Sequence, residues 1–377
     1  MMKVLGIDPG TKSFDFCGME DDSVVLNESV PSEEIAGNPM RFVEVVRSID
    51  ADYIVGPSGY GLPVKKLSSL DKKDLFLLTL VKPEELDSIS VLSGMQKSFA
   101  ILLKEDIPMY FIPGVIHLPT VPAYRKLNKI DMGTADKLCC AVLGIWDQAR
   151  RFDIEYDKTS FILAEVGFGY TSAIAVADGR IVDGIGGTTG SPGYTSLGSM
   201  DGELAYLLGN FSKTLLFDGG VSSLMDKKIS PEELARKKNT SSEYAEAWDC
   251  LIEGAVRDVL MLLASVPKPK EILLSGRLTR IPEVVTELTE RLKWIAPARR
   301  VDGITKDVKE AAQGAALVAN GLAGGRYTPL TDNLKLREAK GTVLDYVRLK
   351  DGDDLKSKYG IIKKGNKEGR LSRPSSA

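Results

Sequence analysis

Val4-Leu5-Gly6-Ile7-Asp8-Pro9-Gly10-Thr11-Lys12 opens the chain as an apolar run that ends in a carboxylate and a Pro-Gly turn, and Ser13 to Met19 continues it as a second extended run. Apolar runs punctuated by Gly and Pro read as strands, and a glycine turn joining two of them reads as a hairpin. Ser23 to Asn27 supplies a third strand. Near residue 160 the order returns: Phe161-Ile162-Leu163-Ala164-Glu165-Val166, the turn Gly167-Phe168-Gly169, the run Tyr170 to Ala177, the turn Asp178-Gly179, and Arg180-Ile181-Val182. A single hairpin of this kind reads as a plain β-turn. Its repetition at the head of each half predicts an internal duplication.

Helical periodicity fills the intervals. Arg41 to Ile49 is amphipathic and leads into the apolar strand Tyr53-Ile54-Val55; the glycine-rich loop Gly56 to Pro63 follows, and Met109 to Ile112 is the next clear strand. After Gly133, apolar residues from Leu138 to Ala149 recur at three- and four-residue intervals, as do Ala245, Trp248, Leu251, Ile252, Val256, Val259 and Leu263. Glycines recur from Gly186 to Gly198, the strand Glu271 to Leu274 runs into Ser275-Gly276-Arg277, and Lys309 to Leu322 forms a last helix. Strands alternating with helices predict an α/β protein. Its 377 residues suit two domains, with five-stranded mixed sheets expected at 1–155 and 156–325 and an extension at 326–377.

Composition excludes several classes of function. Hydrophobic residues make up 43% and charged residues 27%, the balance of an ordinary globular chain. The net charge is −3, but residues 346–377 hold nine Lys/Arg against four Asp/Glu, so the body is acidic and the end is basic. An acidic body is not expected to bind nucleic acid, whose phosphates need a concentrated basic face. The end, Lys363-Lys364 and beyond, is polar and glycine-rich and is expected to be disordered. One histidine, His117, leaves no His pair for a zinc or iron site. Four cysteines with no CxxC spacing read as reduced thiols, and no apolar run reaches membrane-spanning length, so a cytoplasmic protein is expected.

The two hairpins suit a cleft that grips nucleotide phosphates. Glycine lets backbone N–H groups approach phosphate oxygens, and a carboxylate holds Mg²⁺ through water. Asp8 with Gly10, Thr11 and Lys12 forms one half, and Glu165 with Gly167, Gly169 and Thr171 the other. Bland readings stand beside these: Lys12 also suits a solvated turn, Asp136 a helix N-terminus, and Arg277 the surface.

Taken in order, these motifs resemble the superfamily of acetate and sugar kinases, Hsp70 and actin, with its duplicated actin-like (ribonuclease H-like) domains. Within it they resemble the butyrate kinase branch, and most of all an archaeal group predicted to be butyrate kinases. Residues 4–11 and 164–169 resemble its two phosphate motifs, Leu273-Leu274-Ser275-Gly276-Arg277 its adenosine motif, and 133–138 and 310–315, including Gly314, its two connecting helices. Glu165 stands where the family commonly has Asp. The resemblance implies ATP and Mg²⁺, with Asp8 and Glu165 toward the metal, and a short-chain carboxylate as phosphate acceptor. Lys12 and Arg125 would supply positive charge. Gly59, Gly61, Asn128, Gly187 and Ser191 would lie on the substrate side. A hydroxylated acceptor would instead need Asp136 as base, and a non-catalytic ATP-binding switch is the reading from another class. Acyl kinases of this kind often pair as homodimers, an expectation the resemblance extends to this chain.

Overall fold

The computed structural model describes residues 1–362; the expected basic tail at 363–377 lies outside the described residues. The first sheet holds β1 (Lys3–Pro9), β2 (Ser13–Glu20), β3 (Ser23–Pro31), β4 (Tyr53–Val55), β5 (Gly61–Lys66) and β6 (Met109–Pro113) in the order β3-β2-β1-β4-β6-β5. The second holds β7 (Phe161–Val166), β8 (Thr171–Ala177), β9 (Arg180–Ile185), β10 (Glu271–Ser275) and β11 (Ala298–Arg300) in the order β11-β10-β7-β8-β9.

The duplication is visible in the pairing. In the first sheet β3, β2 and β1 pair antiparallel and β1, β4 and β6 pair parallel. In the second, β9, β8 and β7 repeat the antiparallel part and β7, β10 and β11 the parallel part. β5 breaks the symmetry, giving six strands where five are expected. The glycine-rich loop turns at Gly59 and Gly61, whose φ values of 51° and 91° favour glycine, and the chain leaves it as an edge strand antiparallel to β6.

Two helices join the halves. Ala135–Phe152 packs against Glu310–Leu322 so closely that a Cβ added at Gly314 would lie 1.9 Å from the carbonyl oxygen of Cys139. Glu310–Leu322 also lies on β1, where a Cβ at Gly6 would lie 2.2 Å from the Ala316 nitrogen. The described part of the C-terminal extension returns to the core of the first sheet through Leu330, Leu334, Leu336 and Val343, all fully buried there. In the second half, Trp248, Leu251, Ile252 and Val259 of the long helix Ser242–Leu262 face the core, as their spacing predicts.

Gly314→Val should therefore lower the unfolding free energy by about 1–3 kcal/mol, the usual cost of overpacking. Gly202→Ala, at a position with nothing within 4 Å of an added Cβ, should leave it unchanged or slightly raise it. Urea midpoints for the two variants check this, and equal midpoints would refute the close helix crossing.

Candidate active site

A cavity of about 590 Å³ lies where the two sheets and the two connecting helices meet. The hairpin tips enter it from opposite sides. A Cβ added at Gly169 would lie 3.4 Å from Thr11 Oγ1, so the two tips face each other. Two glycines at the cavity are crowded by backbone as well as side chains: a Cβ at Gly10 would lie 2.2 Å from Lys309 Nζ and 2.9 Å from the Ser13 carbonyl oxygen, and one at Gly276, with φ 92°, would lie 2.6 Å from Glu165 Oε1 and from the Val166 carbonyl oxygen. Side chains are excluded at these positions, so backbone borders the cavity there.

The strand register decides which charges meet. Asp8, two residues before Gly10, pairs across the hairpin with Asp15, and Glu165, two before Gly167, pairs with Ser172. Like charges on directly opposed strand positions repel. Lys309 resolves the conflict: its Nζ lies 2.8 Å from Asp15 Oδ2 and 3.4 Å from Asp8 Oδ2, and it donates to the Ser13 carbonyl at 2.9 Å. On the other side Lys137 Nζ pairs with Asp136 Oδ2 at 2.7 Å and Glu165 Oε2 at 3.0 Å.

Burial pushes the Asp8 carboxyl up from its ordinary 3.8 to about 6; Lys309 opposes the shift, while Asp136 and Asp15 add to it. Burial likewise pushes Glu165 from 4.5 up to about 7 against the pull of Lys137, with Asp136 adding to the rise. Asp136 goes the other way. Burial would raise it, but Lys137 and the Thr134 hydroxyl hold it below its ordinary value. Cys139 and Cys140 also line the cavity, and burial holds both thiols well above their ordinary 9.0, so neither is an available thiolate.

Asp8 and Glu165 are the side chains suited to hold a hard divalent cation. Among the described residues no three acidic, histidine or cysteine groups converge into a metal cage. Magnesium does not require one, since one or two carboxylates suffice when water and phosphate oxygens complete the octahedron. Two oxygen donors whose protons are held unusually tightly, in a cleft edged by glycine backbone, fit that donor set.

Most of the expected site residues line this cavity. Asp8, Gly10, Thr11 and Lys12 do so from the first hairpin, and Glu165, Gly167 and Gly169 from the second. Gly59, Asp136, Gly187, Gly276 and Arg277 complete them. Others do not border it. Arg125 is engaged by β9, donating to the Val182 carbonyl at 2.7 Å with Asp183 Oδ2 at 3.6 Å. Asn128 is exposed, and its side chain accepts from the Arg348 N–H at 2.7 Å, tying down the C-terminal extension. The Ser191 N–H and hydroxyl both donate to the buried Asp258 carboxylate, anchoring the glycine loop to the long helix. Gly61 and Gly314 serve close backbone contacts, with Gly114 and Cys139 respectively. The Thr171 and Ser275 hydroxyls are buried beside the second hairpin and the Ser275-Gly276 turn and have no hydrogen-bond partner among the described residues.

Several residues at the site were not singled out from sequence. Lys137 lies within the 133–138 motif and Lys309 adjoins the 310–315 motif. Asp15 becomes visible only through register. Asp131, which accepts from the Gly133 and Thr188 N–H groups at 3.0 and 3.1 Å and so pins the Gly186-Gly187 loop, needs the tertiary structure, as do Tyr60 and Lys213.

The raised Glu165 carboxyl sets a sign for stability. Folded Glu165 holds its proton to about pH 7 while the unfolded side chain loses it near 4.5. Its contribution is thus fully present below pH 4.5 and is lost as pH rises through 7. Glu165→Gln should flatten the decline of stability across that window. Urea midpoints at pH 5, 6, 7 and 8 read this, and parallel profiles for variant and parent would refute the assignment.

Solved structures share this architecture. Acetate kinase from Entamoeba histolytica superposes with a TM-score of 0.55 at 12% identity, over 78% of this chain and 86% of that one. A propionate kinase from Francisella tularensis gives 0.57 at 13% identity over 83% and 99%, and Porphyromonas gingivalis acetate kinase 0.53 at 15% over 84% and 98%. At such identities the likeness is one of fold, the two-domain actin-like α/β fold. No curated protein matches the chain. The family model described as "Protein of unknown function (DUF1464)" matches residues 6–349, and the chain belongs to that family.

Proposed function

We propose that the chain is an ATP-dependent phosphotransferase that moves the γ-phosphate of Mg-ATP to a short-chain carboxylate, giving an acyl phosphate as butyrate kinases do. The observation that carries this reading is the convergence on one cavity of two glycine hairpins from different sheets, each two residues behind a buried carboxylate. Hairpin backbone would cradle the phosphates, and Lys12, at the cavity with its Nζ 4.8 Å over the Phe168 ring, is free of carboxylate partners among the described residues and can turn to them. Magnesium, when bound, neutralises phosphate charge, and Asp8 and Glu165 would hold it. The shared fold with acetate and propionate kinases agrees with this reading.

The state of Asp136 favours a carboxylate acceptor over a hydroxyl one that would use Asp136 as its base. A base that takes a proton from a hydroxyl works best with a pKa near the working pH. Asp136 is held ionised by Lys137 and Thr134, with its pKa lowered, and so is a weak base suited to orienting groups. A carboxylate acceptor needs no base, because it is already ionised at neutral pH. Its oxygen forms the new O–P bond as the bond from the γ-phosphorus to the β,γ-bridging oxygen breaks. ADP departs with that electron pair, and no proton moves.

Hydroxylamine trapping with Mg-ATP and straight-chain acids from acetate to hexanoate tests this. Hydroxamate is expected, and its absence with every acid alongside proven turnover of another acceptor would overturn the reading. Asp8→Asn should lower turnover by about a hundredfold or more, since it removes preorganised charge from the phosphate side. Binding of Mg-ATP at pH 6.5 should also release protons, because a cation at Asp8 and Glu165 displaces those that burial retains. Calorimetry in buffers of different ionisation enthalpy measures that release.

A further inference from the structure

Among the described residues Lys213, a buried lysine of the cavity, has no carboxylate partner. Lys309 and Lys137 are each shared between two carboxylates. Lys213 comes from the second half, lines the same cavity, and its Nζ meets the Tyr60 hydroxyl at 3.1 Å and the Tyr60 ring at 4.9 Å. Among the described residues no carboxylate lies within ion-pair distance of it. Asp131 and Glu85 act on it only from farther away, and burial lowers its pKa. A desolvated ammonium without a counter-ion is costly, and an anionic ligand is the natural remedy.

Tyr60 places this ammonium beside the phosphate-side charges. The carbonyl of the preceding residue, Gly59, accepts from the Ala135 N–H at 2.9 Å, at the turn that carries Asp136. From the same point an apolar bay leads away. The Tyr60 N–H donates to the Leu78 carbonyl at 3.0 Å, and Leu78, Val81, Leu92 and Met95 line the cavity beyond it. The 82–85 segment is fastened to the second half. Lys82 Nζ donates to Asn210 Oδ1 at 3.0 Å, and the Lys213 N–H donates to Glu85 Oε2 at 3.2 Å.

Resting on the phosphotransferase reading, we propose that Lys213 and the Tyr60 hydroxyl hold the acceptor's carboxylate and that the apolar bay of Leu78, Val81, Leu92 and Met95 holds its tail, so the preferred acceptor carries an apolar tail longer than that of butyrate. Lys213 takes the role expected of Arg125, which β9 engages instead. The bay selects by area: each further buried methylene adds a roughly three- to fourfold preference.

The test is a series of acetate, butyrate, hexanoate and 3-phenylpropanoate with Mg-ATP, scored by acyl-phosphate formation. The kcat/KM is expected to rise about tenfold from butyrate to hexanoate; a flat or falling series would overturn the proposal. Lys213→Met should raise the KM for hexanoate thirtyfold or more, with Lys213→Arg recovering part of it. A loss confined to nucleotide Kd would place Lys213 on the phosphate side and overturn the proposal. Leu92→Trp should cut the hexanoate-to-acetate ratio of kcat/KM tenfold or more, and an unchanged ratio would exclude the bay. If no acid is phosphorylated, calorimetric titration of hexanoate into the ADP-bound protein separates the two ideas. Binding that Lys213→Met abolishes would keep the acceptor site and remove the phosphotransferase reading. No binding would remove both.

Discussion

Contact between the two connecting helices at Gly314 and the Cys139 carbonyl is the constraint on which the site depends. Asp136 lies three residues before Cys139 and Lys309 five before Gly314, about 5 and 8 Å along their axes at the usual helical rise. Bringing the helices together there delivers both helix starts to one cavity, Asp136 and Lys137 from one and Lys309 from the other. Gly6 repeats the device against Ala316, fixing β1, and so Asp8, on the same helix. A larger residue at either glycine would move the charged groups apart before it disturbed any of them directly.

The charges so gathered are in conflict. Burial raises the pKa values of Asp8 and Glu165; Lys309 and Lys137 oppose the rise and the neighbouring acids, Asp136 among them, add to it. The proposed divalent cation would displace the protons that burial retains there. Among the described residues Lys213, at the same cavity, shows the opposite imbalance, positive charge without a carboxylate partner.

Much of the fold was legible because its signals are local. The strands β1, β2, β7 and β8, the helix through Leu138 and Ala149, and the Trp248 face all announce themselves within a few residues. β5 did not, since a loop rich in Gly and Pro gives no strand period and its pairing with β6 is a matter of edge geometry. At the site, Asp8, Glu165 and the hairpin glycines were legible for the same local reason. Arg125, Asn128 and Ser191 were plausible by type and position, yet β9, Arg348 and Asp258 engage them. Side-chain partners 57 to 220 residues away leave no mark in local sequence.

By itself, then, the sequence determined the duplicated strand–turn–strand heads, the connecting helices and the carboxylate before each glycine tip, because hydrophobic period and turn chemistry act over a handful of neighbours. Only the tertiary structure decided which of the many lysines and acids face one another. Strand register put Asp15 opposite Asp8, and the glycine-lined helix crossing aligned Lys137 and Lys309. Closure of the 210–213 segment on the 82–85 segment brought Lys213 to Tyr60. Those juxtapositions follow from long-range packing, in which a residue's partner is set by how whole elements fit together.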